Sequence, residues 1–453
     1  MAISRRDALR GGVAALGAAG AAFGLRASAL ANTAEDAAAL AARAGVGPAR
    51  GVGLGATSGL FGFADEPVAE HDFTRFVSSP LVLEALELYW INRNEHLMVG
   101  RFAGGLTAYL PTNKRFGDDL PLFTGRVLPY FLGQDLRFIE ARIEACHRAN
   151  YKIVGLPFWN AVGTIEMLAL EAIGQAAKKP VYDLVGGAKR REVAVYLSTR
   201  ERTTTPEQEI DEFLVPRLER TGAKAIKLGI GGRMSRNVDA WEGRSEALIA
   251  RARRVLGDGM TVIADANGSY DAKHGIEVGR MLERYGVWFF EEPCPFEEFE
   301  MTAQVTAALD IPTGGGEQDA SAAKWRWMIT NRMYDIVQPD LFYAGGFLRT
   351  LRIARAAAAA GMPCIPHAPR AHAGAATMLH FIAAIDKPGE FHEFSAKAAL
   401  GDGAYDYAPR LTIRDGRIAV PDGPGFGLTY DVEGILRRAK PYEYPVMQAV
   451  DDD

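Results

Sequence analysis

Three carboxylates stand at equal intervals in the second half of the chain. Asp265 closes the run Val262-Ile263-Ala264-Asp265, Glu291 closes Trp288-Phe289-Phe290-Glu291, and Glu317 follows Thr313-Gly314-Gly315-Gly316, each 26 residues from the next. One strand-plus-helix unit of a parallel fold advances the chain by roughly that much, so the three project from adjacent strands onto one rim. Hard oxygen donors with no Cys or His among them suit Mg²⁺, which keeps waters or substrate oxygens in its other positions. Taken singly, each is equally a solvated loop residue or a cap. Taken in register, three anions gathered without a cation would suffer repulsion and desolvation.

Asp340 follows Val337-Gln338-Pro339 and His367 follows Cys364-Ile365-Pro366, one such unit apart. A carboxylate beside an imidazole fixes its tautomer, raises its pKa and makes it a general acid or base. Lys227, in Ala225-Ile226-Lys227-Leu228, is placed on the far side of the same rim, to neutralise a substrate carboxylate or take a proton. Its bland alternative is a lysine that snorkels to the surface. Glu393 sits in Phe391-His392-Glu393-Phe394 and decorates a further strand.

Positioning these residues requires a particular architecture. From Val193 onward short apolar strands alternate with helical stretches, the pattern of a parallel α/β fold. The strands expected are Val193 to Ser198, Ala225 to Gly229, Thr261 to Ala264, Val287 to Phe290, Ile311 to Gly314, Tyr334 to Val337, Met362 to Pro366 and Glu390 to Phe394. An open doubly wound sheet concentrates its ligand at one switch point, whereas seven strands ending in polar residues favour a closed barrel. Before it, Leu81 to Phe102 reads as a hairpin, followed by helices over Asp135 to Ala149 and Ala161 to Ala177. The fold class expected is a (β/α)7β barrel with an N-terminal α+β capping domain. Its segments are a lead-in at 32–79, the cap at 80–190, the barrel at 191–400, and a C-terminal segment, 401–453, returning to the cap.

The 453 residues are 48% hydrophobic and 24% charged with a formal net charge of -5, which excludes a disordered chain and disfavours nucleic acid as a partner. A small-molecule carboxylate is the partner expected. Cys146, Cys294 and Cys364 are widely spaced, so neither a disulfide framework nor a zinc site is read. Residues 1–31 carry Ser4-Arg5-Arg6-Asp7, a mildly apolar run from Gly11 to Leu25 and an Ala29-Leu30-Ala31 cleavage site. That reads as a twin-arginine signal peptide, hence a periplasmic protein. The apolar run spans only about 22 Å, short of the roughly 30 Å hydrocarbon core, so no stable membrane anchor is expected.

Asp265-Ala266-Asn267-Gly268, Glu291-Glu292-Pro293, Gly316-Glu317, Gln338-Pro339-Asp340, Gly345-Gly346 and Pro366-His367 together resemble the enolase superfamily, within it the mandelate racemase and muconate lactonizing enzyme subgroup. Thr164-Ile165-Glu166 through Gly186-Gly187 is similar to that family's linker helix. The resemblance covers about 80–400. It implies a Lys or His base working with Mg²⁺ through an ene-diolate, and metal ligands at Asp265, Glu291 and Glu317. It also implies catalytic roles for Lys227, Asp340, His367 and Glu393, the last in protonated form. One departure stands out. The family's Lys-x-Lys appears here as Lys227-Leu228-Gly229, and Lys224 falls on the other face of its strand. The activity this implies is dehydration of a sugar acid to a 2-keto-3-deoxy acid. An epimerase, racemase or cycloisomerase acting on a related acid or lactone, and a periplasmic binding or sensing protein without catalysis, stay open. The cap loops, including Thr107-Ala108-Tyr109, and the loop from Gly231 to Asn237 would set specificity. There Arg233 and Arg236 are either solvated or turned to a second carboxylate. A symmetric homo-oligomer is the default assembly.

Overall fold

The computed structural model describes residues 71–438 apart from 93–94, 371 and 400–405. The signal segment and most of the lead-in lie outside the described residues.

The cap begins with antiparallel strands β1 (Leu83–Asn92) and β2 (Glu95–Phe102), the hairpin expected from the sequence. A third strand, β3 (Thr107–Pro111), pairs with β2, so Thr107, Ala108 and Tyr109 belong to the sheet and not to a loop. Its alternation of buried Ala108 and Leu110 with half-buried neighbours is the period-2 pattern of a one-sided sheet. The first cap helix is Ile139–Ala149, entered through a single tight turn whose cap, Asp135, accepts from Arg137 N. The second, Leu156–Ala177, starts five residues before the periodicity suggested because Pro157 suits a first helical turn. This helix is buried from Phe158 to Gly174, including Glu166 and Glu171, since it is wedged between the cap sheet and the barrel.

Strands β4 (Glu192–Ser198), β5 (Ala225–Gly229), β6 (Thr261–Asp265), β7 (Phe289–Glu291), β8 (Thr313–Gly315) and β9 (Ile336–Val337) form one parallel sheet in sequence order. β10 (His392–Ser395) pairs with β4 and closes the curl. The stretch expected as the seventh strand, Met362 to Pro366, is reduced to bridges, with Cys364 joining Val337 on one side and Pro388 on the other. Two prolines, Pro363 and Pro366, remove ladder donors there. The result is a TIM-type barrel with an N-terminal cap. Arg417–Ala419 adds an antiparallel edge to β4. The final described helix, Val432–Arg438, lies on β1, and its Ile435 packs with Leu97 and Val99. All three cysteines are free and buried. No described helix is long and apolar enough to cross a membrane.

Candidate active site

The barrel interior is filled by Tyr196, Ala225, Ile263, Phe289, Ile336 and Ile365, with Phe391 packed against them. Because successive strand residues face opposite ways, the residue two places further along each chain faces inward again, one layer nearer the C-terminal mouth. Those residues are Ser198, Lys227, Asp265, Glu291, Gln338, His367 and Glu393, all polar. The period-2 rule therefore stacks a polar layer directly on an apolar one. Glu317 and Asp340 follow the ends of their strands in the loops.

Lys227 Nζ is the hub of the inner layer, 2.5 Å from Glu291 Oε1, 3.3 Å from Glu393 Oε1 and 3.6 Å from Asp265 Oδ2. Its side chain is 2% exposed, so it is no snorkelling lysine. Burial disfavours its charge, but Glu291 and Glu393 outweigh that and hold the ammonium well above its ordinary pKa. Burial lifts Glu291 against the pull of Lys227. Burial also opposes charge on Glu393, yet Lys227, His367 and Arg200 win and hold it below the usual range. Its other oxygen accepts from Ala368 N at 2.8 Å, which ties Lys227 to the His367 loop. Lys227 stands on the second strand of the barrel and His367 after the seventh strand position, and Glu393 on the last strand touches the Lys227 ammonium and the backbone beside His367.

The dyad is formed. His367 Nδ1 lies 3.0 Å from Asp340 Oδ2, and the two residues bridge in parallel register. Asp340 Oδ1 accepts from Phe342 N at 2.8 Å and Tyr343 N at 3.2 Å, while Arg370 Nη2 stands 3.3 Å from Oδ2. Every lone-pair direction of Asp340 is committed, so the imidazole presents Nε2 to the cavity side, 3.1 Å from Glu317 Oε2. Burial disfavours the imidazolium, but Glu317, Asp340 and Glu393 together raise His367 above its ordinary value.

The three evenly spaced carboxylates are divided between these two cations, Asp265 and Glu291 with Lys227, Glu317 with His367. Among the described residues no group of three or more His, Cys, Asp or Glu is drawn together at metal-ligand spacing. The donor chemistry nonetheless fits a hard divalent cation. Glu292 joins the set, its Oε1 buried without a hydrogen-bond partner. Burial, then Asp265 and Glu291, push its carboxyl up to about 8. Burial drives Glu317 well up too, with His367 opposing and Glu292 and Asp265 reinforcing. Carboxyls crowded until they resist ionisation are what a bound cation relieves.

Four residues of the site were not assigned roles from the sequence. Gln338 Nε2 donates to Glu291 Oε2 at 2.9 Å, and Gln338 was legible from its place two residues after Ile336. Asn267 donates its backbone and side-chain N–H groups to the two Asp265 oxygens at 2.9 and 3.1 Å. Asn267 and Glu292 hold left-handed φ of 41° and 44°, strain of the kind concentrated at functional sites. The fourth, Arg202, answers for the missing lysine. A Cβ built on Gly229 would meet Arg202 Nη1 at 3.2 Å and Cζ at 3.3 Å. That guanidinium donates to Ile230 O, Gly231 O, Asp265 O and Asn267 Oδ1 within 3.2 Å, so the volume a second lysine would enter is already taken. Lys224 is exposed, turned away as strand alternation requires.

A cavity of about 1020 Å³ opens above this layer, walled by barrel loops, by the cap segment after β3 and by Tyr407, Tyr430 and Ile435 from the C-terminal segment. Arg233 lines it and Arg236 does not.

Comparisons with known proteins agree with this geometry. Residues 209–434 match the family model described as Enolase C-terminal domain-like. The chain is 29% identical over 309 residues to an arabinonate dehydratase of Saccharolobus solfataricus, spanning 66% of this chain and 78% of that protein. It superposes on the crystal structure of a putative racemase from Roseobacter denitrificans with a TM-score of 0.73 and 32% identity, over 79% of this chain and 98% of that one. A mandelate racemase/muconate lactonizing protein from Paracoccus denitrificans PD1222, complexed with magnesium, shares the fold at 22% identity and a TM-score of 0.73, over 80% and 99% of the two chains. The chain belongs to the enolase superfamily, in its mandelate racemase-like group, and is a lyase or isomerase.

Proposed function

We propose that this enzyme removes the proton α to a carboxylate and dehydrates a sugar acid to a 2-keto-3-deoxy acid. Lys227, anchored by Glu291 and Glu393, receives the substrate carboxylate. Mg²⁺ held by Asp265, Glu291 and Glu317 would supply Lewis-acid polarisation of that carboxylate, lowering the cost of the negative charge that develops when the α-proton leaves. His367 takes that proton at Nε2 or returns one to the departing β-hydroxyl. Asp340 holds the tautomer and stabilises the imidazolium, as a buried carboxylate does behind any catalytic histidine.

The observation that carries dehydration over epimerisation is the pairing of one oriented histidine with a filled lysine position. Two-base inversion needs a proton acceptor on each face of the carbon. Arg202 stands where the second acceptor would be, and a guanidinium has no acceptor lone pair and stays protonated. Turnover of sugar acids with Mg²⁺, scored for keto acid with semicarbazide, tests the reading. His367→Asn should lower kcat by about 10²- to 10⁴-fold, the usual worth of a positioned acid or base. Full turnover in that variant, or deuterated substrate returned from D₂O with no keto acid, overturns it.

A further inference from the structure

The cavity is divided by charge. Its floor holds Asp265, Glu292, Glu317, Asp340 and Glu393 around Lys227, whereas its outer wall carries Lys114 and Arg115 from the cap and Arg200 and Arg233 from barrel loops. Asp406 is the one described acidic residue lining the cavity outside the floor. The floor cations and Arg370 are spent on floor carboxylates. Arg233 donates to the neutral amide oxygen of Asn267 at 2.9 and 3.2 Å. Lys114 and Arg200 have no ion-pair partner among the described residues.

The backbone that carries these outer cations is held in place. Buried Asn113 accepts from Arg115 N at 2.9 Å and Phe116 N at 3.1 Å, and its amide donates to Asn160 on the long cap helix, so the turn that presents Lys114 is fixed. Arg200 lies two residues past the end of β4, and its carbonyl accepts from Arg202 Nη1 at 3.4 Å. Burial and the charges of Arg200, Arg115 and Arg233 all press on the Lys114 ammonium, and Glu317 partly offsets them. Like charges gathered on one wall of a cavity repel one another and focus attraction on an anion.

We propose that the substrate carries a second anionic group, at the end of its chain remote from the carboxylate that Lys227 receives, and that Lys114 and Arg200 bind it. This rests on the sugar-acid reading above and narrows it to dianionic acid sugars. A terminal carboxylate, as in an aldarate, and a terminal phosphate share the required chemistry.

The test compares aldarates, the matching aldonates and 6-phosphoaldonates, with Mg²⁺ present, for kcat/KM in the parent enzyme and for calorimetric binding to the His367→Asn variant. The parent should prefer a dianion over the matching aldonate by at least tenfold, chiefly through KM. Lys114→Met and Arg200→Met should each lower that preference about tenfold, and Lys114→Arg should restore most of it. Whether the aldarate or the phosphate ester is the better dianion decides the chemistry of the second group, and either result supports the proposal. Aldonates handled as well as dianions by the parent overturn it while leaving dehydration intact. So does a Lys114→Met variant that weakens both classes in proportion, the mark of general steering. Neither turnover nor binding of any of the three classes overturns the dehydration reading itself.

Discussion

At the scale of single residues, the site is a set of carboxylates whose ionisation depends on which cation each one faces. Glu292 is the clearest case, because its Oε1 has no hydrogen-bond partner and burial with two neighbouring anions pushes its carboxyl up to about 8. Replacing Glu292 by Gln keeps the bulk but leaves a side chain that cannot ionise when a cation arrives. The variant should melt at or above the parent temperature without added metal, and its gain in Tm on adding Mg²⁺ should be smaller, since ligand-induced stabilisation scales with affinity. A differential scanning measurement with and without Mg²⁺ checks both. A larger Mg²⁺ shift than in the parent would remove Glu292 from the cation-binding set. Asp265, Glu291 and Glu317 were legible from their even spacing, and His367 from its place after Pro366. The partition of those carboxylates between Lys227 and His367 was not, because it depends on side-chain distances between strands far apart in sequence.

At the scale of elements, strand alternation converts an apolar layer into a polar one two residues later, which is why Ile263, Phe289 and Ile365 announce Asp265, Glu291 and His367. What alternation does not reveal is a neighbour arriving from another element. Gly229 reads as a lost lysine, but the loop after β4 delivers Arg202 into that space. Gly229→Lys must displace a guanidinium that makes five hydrogen bonds to Ile230, Gly231, Asp265 and Asn267. It should destabilise the protein by about 1–3 kcal/mol, as overpacking does, and should gain no epimerase activity, measurable by chiral analysis of recovered substrate. The cap helix is tied to the barrel in a comparable way. Glu166 accepts from Phe347 N and Leu348 N at 2.8 Å each, at the start of the barrel helix Phe347–Ala359. Burial outweighs those N–H groups and pushes its carboxyl up to about 8 from an ordinary 4.5. Between those values the folded chain keeps a proton that the unfolded chain loses. The contribution is therefore complete below pH 4.5 and fades as pH rises through 8. Stability should fall over that range by the equivalent of up to about 5 kcal/mol, read as a falling Tm, and Glu166→Gln should flatten the slope.

At the scale of the whole molecule, cap, barrel and C-terminal segment share one cavity, with Tyr109 of β3 packed 5.9 Å from Tyr430. The N-terminal twin arginines bear on where that assembled molecule works. Changing Arg5 and Arg6 to Lys should leave the protein in the cytoplasm of a host with a functional twin-arginine pathway, read by cell fractionation, while catalysis by the purified enzyme is unaltered. Secretion undiminished by the change would remove the export reading. The barrel, its cap and the residue types at the strand ends are readable from the chain alone, because hydrophobic period and unit length are local properties. That Glu393 joins Lys227 to the backbone beside His367, that Arg202 fills the space beside Gly229, and that Lys114 and Arg200 share one wall emerges only in three dimensions. Each of those depends on which segments, remote in sequence, are brought within a few ångströms when the barrel closes and the cap settles on it.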